Sequence, residues 1–223
     1  MKKIPKMNEA AWVLGVLLCT LGIALCTKAS FGLSMIAAPP YIIHVKMIQF
    51  FPWYTQGTSE YIFQGLLLIL ICVICQRFRV KYLFSFVTAV VSGLTLDLWF
   101  LILGGNAPLS SMPARIVFFI FGELLTTAAI ALYFRTSLPL QVYELLVTEV
   151  SSKFNIDVNK MKMINDVSYL VLSCALAFIL TRSFTGIGIG TVVITLVNAP
   201  LITFFGKILD KFFTFDSLFE KHN

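Results

Sequence analysis

Residues 23–30 read IALCTKAS, and residues 130–137 repeat the pattern as IALYFRTS, 107 positions later. Each copy closes a long apolar segment with a basic residue, Lys28 in the first copy and Arg135 in the second. Each is followed by a stretch that is too short and too interrupted by polar residues to be an ordinary membrane span. Duplicated membrane halves with interrupted helices are typical of transporters.

The composition predicts an integral membrane protein. Hydrophobic residues make up 58% of the 223 residues and charged residues only 13%, and the mean hydropathy is +0.89. Such a chain meets lipid over much of its surface, and the 21 phenylalanines fit that setting. We therefore expect one membrane domain over residues 1–223. The net charge of +6 is interpreted through its distribution among loops, and no nucleic-acid partner is expected.

Six apolar stretches are long enough, or nearly so, to cross a hydrocarbon core of about 30 Å. Spans two and five are short, so we expect them to extend into their polar flanks. The first span is expected to be a retained helix, because no small-residue cleavage site follows it. The six predicted spans are residues 10–27, 61–75, 82–103, 115–134, 167–182 and 188–208.

The distribution of Lys and Arg predicts the orientation, because cytoplasmic loops are enriched in both. With six spans, thirteen basic residues fall on one side and four on the other, which predicts that both termini are cytoplasmic. The larger set comprises Lys2, Lys3, Lys6, Arg77, Arg79, Lys81, Arg135, Lys153, Lys160, Lys162, Lys207, Lys211 and Lys221, and the smaller set Lys28, Lys46, Arg115 and Arg182.

Three crossings in each half are an odd number, so the second half enters the membrane from the opposite face. The sequence thus predicts an all-α, polytopic membrane bundle of two inverted three-helix repeats, residues 10–103 and 115–208. After the first span of each repeat comes an interrupted segment, 31–51 with Pro39 and Pro40, and 137–154 with Pro139. These segments are either re-entrant helices lining a central site or amphipathic helices on the two membrane surfaces.

Several short motifs resemble the YczE/YitT-like group of bacterial multi-pass membrane proteins of unknown function. The resemblance covers almost the whole chain and implies the helical membrane fold and a location in the bacterial inner membrane. It also implies an acidic position in each half: Glu144 occupies it in the second, whereas Ala37 replaces it in the first. The motifs are GIAL at 22–25, KASFGLS at 28–34, SFVTAV at 85–90 with Gly93 and Asp97, YEL at 143–145 and GT at 190–191.

Ionisable residues inside membrane spans are the strongest local indication of a site, because an uncompensated charge there is costly. Glu123 lies eight residues after Arg115, about 12 Å along a helix, and so near the midplane. Asp97 is expected in the outer third of span three. Either acid could bind a proton, a cation or a substrate amine, or could form a structural pair.

Further candidate site residues are less decisive. Glu60 and Gln64 share a helix face at the start of span two, and Asp166 leads into span five; Glu60 and Asp166 are expected more often as caps or interface charges. Asn198 precedes Pro200, where a kink would free backbone carbonyls, although helix packing explains it as simply. Glu144 could line the second interrupted segment or face solvent.

Lys28 and Arg135 occupy equivalent repeat positions at opposite faces. Snorkelling to the headgroups is the favoured interpretation, and pairing with an acid or a substrate is the alternative. Cys72 and Cys75 have CxxC spacing in an apolar span without a second pair or a nearby histidine, so no metal or cofactor is predicted.

The expected function is transport of a small solute or ion at a midplane site between the repeats. The alternatives are a channel, or a membrane-embedded binding component or scaffold that acts with a partner protein. Enzymatic activity is not expected, because no catalytic constellation can be drawn from the spacing. Besides the lipid bilayer and the solute, a homo-oligomer or a partner protein is left open.

Overall fold

The computed structural model describes residues 8–136 and 139–212. The predictions that involve the two chain ends, and with them Lys2, Lys3, Lys6 and Lys221, lie outside the described residues. The same holds for Ser137, the last residue of the second sequence copy and the first of the second interrupted segment.

The described residues form eight α-helices and no strand. A π-helical turn, Ala177–Thr181, continues α7. The helices are α1 (Asn8–Ala29), α2 (Ala38–Met47), α3 (Gln56–Cys75), α4 (Val80–Ile102), α5 (Met112–Tyr133), α6 (Val142–Phe154), α7 (Val158–Leu176) and α8 (Ile189–Phe212).

Within the described residues, six helices are long and apolar enough to cross a membrane: α1, α3, α4, α5, α7 with its π-helical turn, and α8. This confirms the predicted polytopic helical bundle. Spans two and five do extend into their polar flanks, since α3 begins at Gln56 and α7 at Val158. The start of α3 is fixed by Thr55, whose Oγ1 accepts a hydrogen bond of 3.0 Å from the Thr58 backbone nitrogen.

The first helices of the two halves, α1 and α5, cross as a close antiparallel pair. A Cβ atom on Gly22 would lie 2.5 Å from the Gly122 carbonyl oxygen, so both positions require a residue without a side chain. At one end Arg115 Nε donates to the Ala29 carbonyl at 2.7 Å, and at the other Trp12 Nε1 donates to the Pro139 carbonyl at 3.2 Å. These contacts make α1 and α5 the axis of the bundle.

Two of the remaining helix contacts recur in both halves. Helix α4 packs on α1 as α8 packs on α5, and α2 packs on α3 as α6 packs on α7. The short helices also cross between halves, since α6 contacts α3 and α2 contacts α7. The two short helices are thus enclosed by spans from both halves.

Candidate functional site

Helix α6 begins in the interior of the bundle. The Val142 backbone nitrogen, at its first residue, donates to Gln64 Oε1 at 3.1 Å, and Gln64 lies near the middle of α3. The preceding residue, Gln141, donates to Ser92 Oγ near the middle of α4 at 3.0 Å. The Gln64 amide oxygen therefore satisfies the Val142 N–H group, and the Ser92 hydroxyl satisfies the Gln141 amide. Both Gln141 and Val142 are buried, so these groups need partners within the protein.

The other end of α6 lies beside the loop that joins α3 to α4. Glu149 accepts hydrogen bonds from Arg77 Nη2 at 3.2 Å and from the Tyr82 hydroxyl at 2.7 Å, and it also pairs with Lys81. Helix α6 thus runs from the middle of the bundle to the end where α3 finishes and α4 begins. Although burial opposes ionisation of Glu149, hydrogen bonds from Lys81 and Tyr82 lower its pKa below the ordinary value.

Polar groups of α3 and α6 meet at the inner end of α6. The Tyr143 hydroxyl donates to Glu60 Oε1 at 2.8 Å, and Gln64 Nε2 lies 3.4 Å from the same oxygen. Glu60 and Gln64 are 4% and 0% exposed. The face of α3 that the sequence marks by the Glu60 and Gln64 spacing is therefore buried against the second half of the chain.

Glu144 lies next to Tyr143 and has a carboxylate oxygen, Oε2, that is buried without a hydrogen-bond partner among the described residues. Burial raises the pKa of Glu144 to about 7, and the charge of Lys162 on α7 partly offsets this. Lys162 is itself paired with Asp166 at 2.5 Å. Glu144 and Asp166 thus share one cation, Lys162, and Glu60 lies within electrostatic range of Glu144.

Aromatic rings form one wall of this acidic site. Phe63 of α3, Tyr143 of α6 and Tyr169 of α7 contact one another with ring centroids 5.9 to 6.3 Å apart. The negative faces of such rings attract organic cations when the ligand is shielded from water. Carboxylates beside aromatic rings suit a positively charged solute.

Glu123 occupies a second position, between α5, α1 and the segment before α2. It is 7% exposed, and its Oε1 has no hydrogen-bond partner in the part of the chain that the structure describes. Glu123 lines a cavity of about 10 Å³, which is about the space that one water molecule requires. The other lining residues are Ile23, Cys26, Leu33, Ser34, Ala37 and Thr126.

A larger cavity of about 300 Å³ adjoins that of Glu123, because Cys26 and Leu33 line both. Its walls are the segment after α1, residues 30–33, and the loop before α8, residues 184–188. The Leu33 backbone nitrogen donates to the Gly186 carbonyl at 2.9 Å and holds the two segments together. The volume is at the lower limit of pockets that hold small ligands.

Helix α2 also begins in the interior. Ala37, its N-cap residue, lines the Glu123 cavity, whereas His44, seven residues later, lies against the loop between α4 and α5. His44 Nδ1 donates to the Tyr54 carbonyl at 3.1 Å, so the neutral ring accepts from Asn106 Nδ2 through Nε2 at 3.0 Å. Burial lowers the pKa of His44, although its hydrogen bond to the Tyr54 backbone opposes this.

Asp97 is placed apart from Glu123, at the start of α3. Its Oδ2 accepts from Thr55 Oγ1 at 2.6 Å and its Oδ1 from the Gly57 backbone nitrogen at 2.9 Å. Both carboxylate oxygens are thus used to cap α3, which favours the structural alternative for this residue. Asn198 is 8% exposed on α8, and its Oδ1 has no hydrogen-bond partner among the described residues.

Lys28 and Arg135 contact corresponding places in the two halves. Lys28 is 6% exposed and donates to the carbonyls of Leu103 and Gly105, both at 2.9 Å, just after α4. Arg135 forms two hydrogen bonds, 2.6 and 2.7 Å long, with Asp210 in the last turn of α8. Each cation thus binds the C-terminal end of the last helix of its own half. The negative end of the helix dipole favours Lys28 at the end of α4, whereas the Asp210 carboxylate binds Arg135 at the end of α8.

Sequence reasoning treated Glu60 chiefly as a helix cap or interface charge, and it did not include Tyr143, Lys162 or Tyr169 among the site residues. The signal for Glu60 was its position one turn before Gln64, because both side chains then face the same neighbour. The contacts of Tyr143, Lys162 and Tyr169 depend on how α6 and α7 pack on α3, which local spacing does not encode.

The fold and the buried acids define a polytopic helical membrane protein with polar groups enclosed in its interior. Residues 7–207 match a family described as a family of unknown function, DUF6198, and the chain belongs to this family. It is also similar to the uncharacterized protein YyaS of Bacillus subtilis (strain 168), with 24% identity over 211 residues that cover 93% of this chain and 96% of that protein. No solved structure matches the chain.

Proposed function

We propose that this protein is a membrane transporter for a small cationic solute, which binds beside Glu60 and Glu144 between the two halves of the chain. The observation that carries the proposal is the Glu144 carboxylate, which is buried with an oxygen that lacks a partner among the described residues. A carboxylate inside a membrane protein costs several kcal/mol unless a proton or a cation compensates it. A bound cation would supply the missing partner.

The placement of α2 and α6 supports a transport mechanism. Both helices begin in the interior and end near the chain segments that join spans, which favours re-entrant segments over surface helices. As proposed, the two halves are inverted repeats that rock about the α1 and α5 crossing. Such a movement would expose a fixed site to the two sides of the membrane alternately.

The proposal assigns the coupling proton to Glu123. This acid faces a space for about one water molecule, and that space adjoins the cavity of about 300 Å³. The Cys19 thiol on α1 lies within electrostatic range of Glu60, Glu123 and Glu144, so all three acids lie near the same part of α1. In the proposed cycle, proton release from Glu123 and cation binding at Glu144 are linked through the movement of the two halves.

We further propose a bacterial inner-membrane location with cytoplasmic termini, as the thirteen-to-four distribution of basic residues favours. In that orientation the cavity of about 300 Å³ faces outward, and the ion pairs of Glu149 lie at the cytoplasmic side. The YczE/YitT-like resemblance agrees with this location. We propose a carrier without catalytic activity.

The test is uptake of radiolabelled ethanolamine and putrescine by proteoliposomes, with and without an imposed pH gradient. The wild type should show saturable uptake that depends on the gradient. Glu144→Gln should abolish uptake, Glu123→Gln should remove its dependence on the gradient, and Glu9→Gln, an exposed acid in α1, should behave as the wild type.

The outcomes also separate the alternatives. A channel would give flux that does not saturate, a binding component would require an added partner, and a scaffold would show neither flux nor binding. Saturable uptake that is unchanged in Glu144→Gln would overturn the proposed site.

A further inference from the structure

A cluster of basic side chains lies where α3 ends and α4 begins, and the transport site does not use it. Arg77, Arg79 and Lys81 alternate with Phe78 and Val80 along residues 77–81, here called the basic loop. Because α3 and α4 are both apolar spans, the short connection between them must lie at the level of the lipid headgroups.

The basic loop carries more positive charge than its partners compensate. Arg77, Arg79 and Lys81 all converge on one carboxylate, that of Glu149, at 3.2 Å for Arg77 and 3.6 Å for Arg79. Lys153, one turn after Glu149 on α6, adds a fourth cation and donates to the Ile74 carbonyl at the end of α3. These five charged side chains sum to three positive charges.

The cations remain accessible although they pair with Glu149. The side chains of Arg77, Arg79 and Lys81 are 41%, 44% and 51% exposed, whereas that of Glu149 is 4% exposed. The buried Glu149 carboxylate thus orients the three cations, and the exposed sides of these cations can bind a second anion. The N-cap residue of α4, Arg79, provides no side-chain cap, so the positive end of the helix dipole at the first turn of α4 also favours a bound anion.

Apolar side chains stand between these cations. Phe78 is 60% exposed and Val80 is 66% exposed, and both alternate with the basic residues. A free phosphate ion would leave these side chains in water, whereas a phospholipid would place its acyl chains against them.

We propose that the basic loop is a binding site for the headgroup of an anionic phospholipid. The phosphate of one lipid is held by Arg77, Arg79 and Lys81, and its acyl chains lie against Phe78 and Val80. The site is independent of the transport proposal, and it fixes the loop and the end of α6 to one lipid rather than to the bilayer in general. An anionic lipid is required because a zwitterionic headgroup leaves the excess positive charge uncompensated.

The test is a thermal-unfolding titration of the detergent-purified protein with short-chain phosphatidylglycerol, short-chain phosphatidylcholine and inorganic phosphate. Phosphatidylglycerol should stabilise the wild type, because a ligand that binds the folded state raises the unfolding temperature. Arg79→Gln should weaken the apparent affinity about five-fold, the effect expected for one cation near an anionic lipid. Arg79 is chosen because Glu149 keeps Arg77, Lys81 and Tyr82 as partners.

The matched control is Lys211→Gln, which removes an exposed cation near the end of α8 and should leave the affinity unchanged. Equal weakening by the two variants would show a general surface potential and would overturn the site. Equal stabilisation by phosphatidylcholine, or by inorganic phosphate alone, would overturn the assignment to an anionic lipid. Native mass spectrometry of the wild type with both lipids present provides a measurement that needs no variant. If the protein retains the two lipids equally, without preference for phosphatidylglycerol, the proposal is contradicted.

Discussion

The Tyr143 hydroxyl donates a hydrogen bond of 2.8 Å to Glu60 Oε1 and thereby joins α6 of the second half to α3 of the first. Residues 83 positions apart in the chain thus share one buried polar group. Glu144, the next residue, places its carboxylate beside the same helices, so the proposed site is built by the contact between the halves. Movement of one half relative to the other would change the surroundings of both acids.

The predicted topology can be tested by cysteine labelling in a background without the native cysteines. Ser110→Cys lies in the exposed loop between α4 and α5, and Ser152→Cys is exposed near the end of α6. An impermeant thiol reagent added to intact cells should label Ser110→Cys, and Ser152→Cys should react only after the cells are opened. Labelling of Ser110→Cys from the cytoplasmic side alone would contradict the orientation.

The α1 and α5 crossing predicts opposite results for two glycine substitutions. Gly22→Ala should destabilise the fold by about 1–3 kcal/mol, because the new methyl group would lie 2.5 Å from the Gly122 carbonyl and push the helices apart. Gly65→Ala is the control: its Cβ would meet only the Phe86 ring edge at 3.2 Å, and alanine favours a helix. Thermal unfolding of the two variants should separate them, and equal effects would argue against the close crossing.

The neutral, buried His44 predicts a pH dependence. Its folded-state pKa is lowered, so its contribution to stability is full above its unfolded pKa of about 6.5 and is lost as the pH falls towards the folded pKa. The unfolding temperature of the wild type should decrease from pH 7.5 to pH 5.5 by more than that of His44→Gln. If the unfolding temperatures of the two proteins decrease equally with pH, protonation of His44 does not affect the stability of the fold.

Glu149 predicts a pH dependence in the acid range. Its folded-state pKa is lowered, so its pairing stabilises the fold above the unfolded pKa of a glutamate, about 4.3, and is lost as the pH falls through the lower folded value. At pH 7, Glu149→Gln should cost about 1–3 kcal/mol, because three cations and Tyr82 lose a charged acceptor. Arg79→Gln, which removes one exposed partner, should cost less than about 1 kcal/mol.

The architecture was predictable because long apolar helices and breaks at proline are local properties of a sequence. The six spans and the interrupted segments that contain Pro39 and Pro139 followed from them. That the two halves are inverted rests on the charge distribution and stays a prediction. The depth at which the short helices α2 and α6 begin and end could not be predicted, because hydropathy does not distinguish a helix that is buried among membrane spans from one that lies on the membrane surface.

The site was predictable only in part, because long-range contacts decide which polar side chains are already satisfied. The spacing of Glu60 and Gln64 marked a buried face, but only the packing of α6 shows that Tyr143 meets it. Asp97 could not be recognised as a cap of α3 from sequence, since Thr55 and Gly57 lie some 40 residues away. Lys28 was expected to snorkel, yet the chain after α4 folds over it and supplies two carbonyls.

The most direct test of the cation site is the thermal stabilisation of the purified protein by methylammonium, ethanolammonium and tetramethylammonium, measured at several pH values. A ligand at 100 times its Kd stabilises the folded state by about 2.7 kcal/mol. Because burial raises the pKa of Glu144 to about 7, a proton should compete with the cation below that pH. At least one of these cations should stabilise the wild type at pH 8 and lose about ten-fold in affinity for each pH unit below 7. The same cation should not stabilise Glu144→Gln and should stabilise Glu9→Gln as it does the wild type. Stabilisation of Glu144→Gln equal to that of the wild type, or no stabilisation of the wild type by any of the three cations, would contradict a cation site at Glu144.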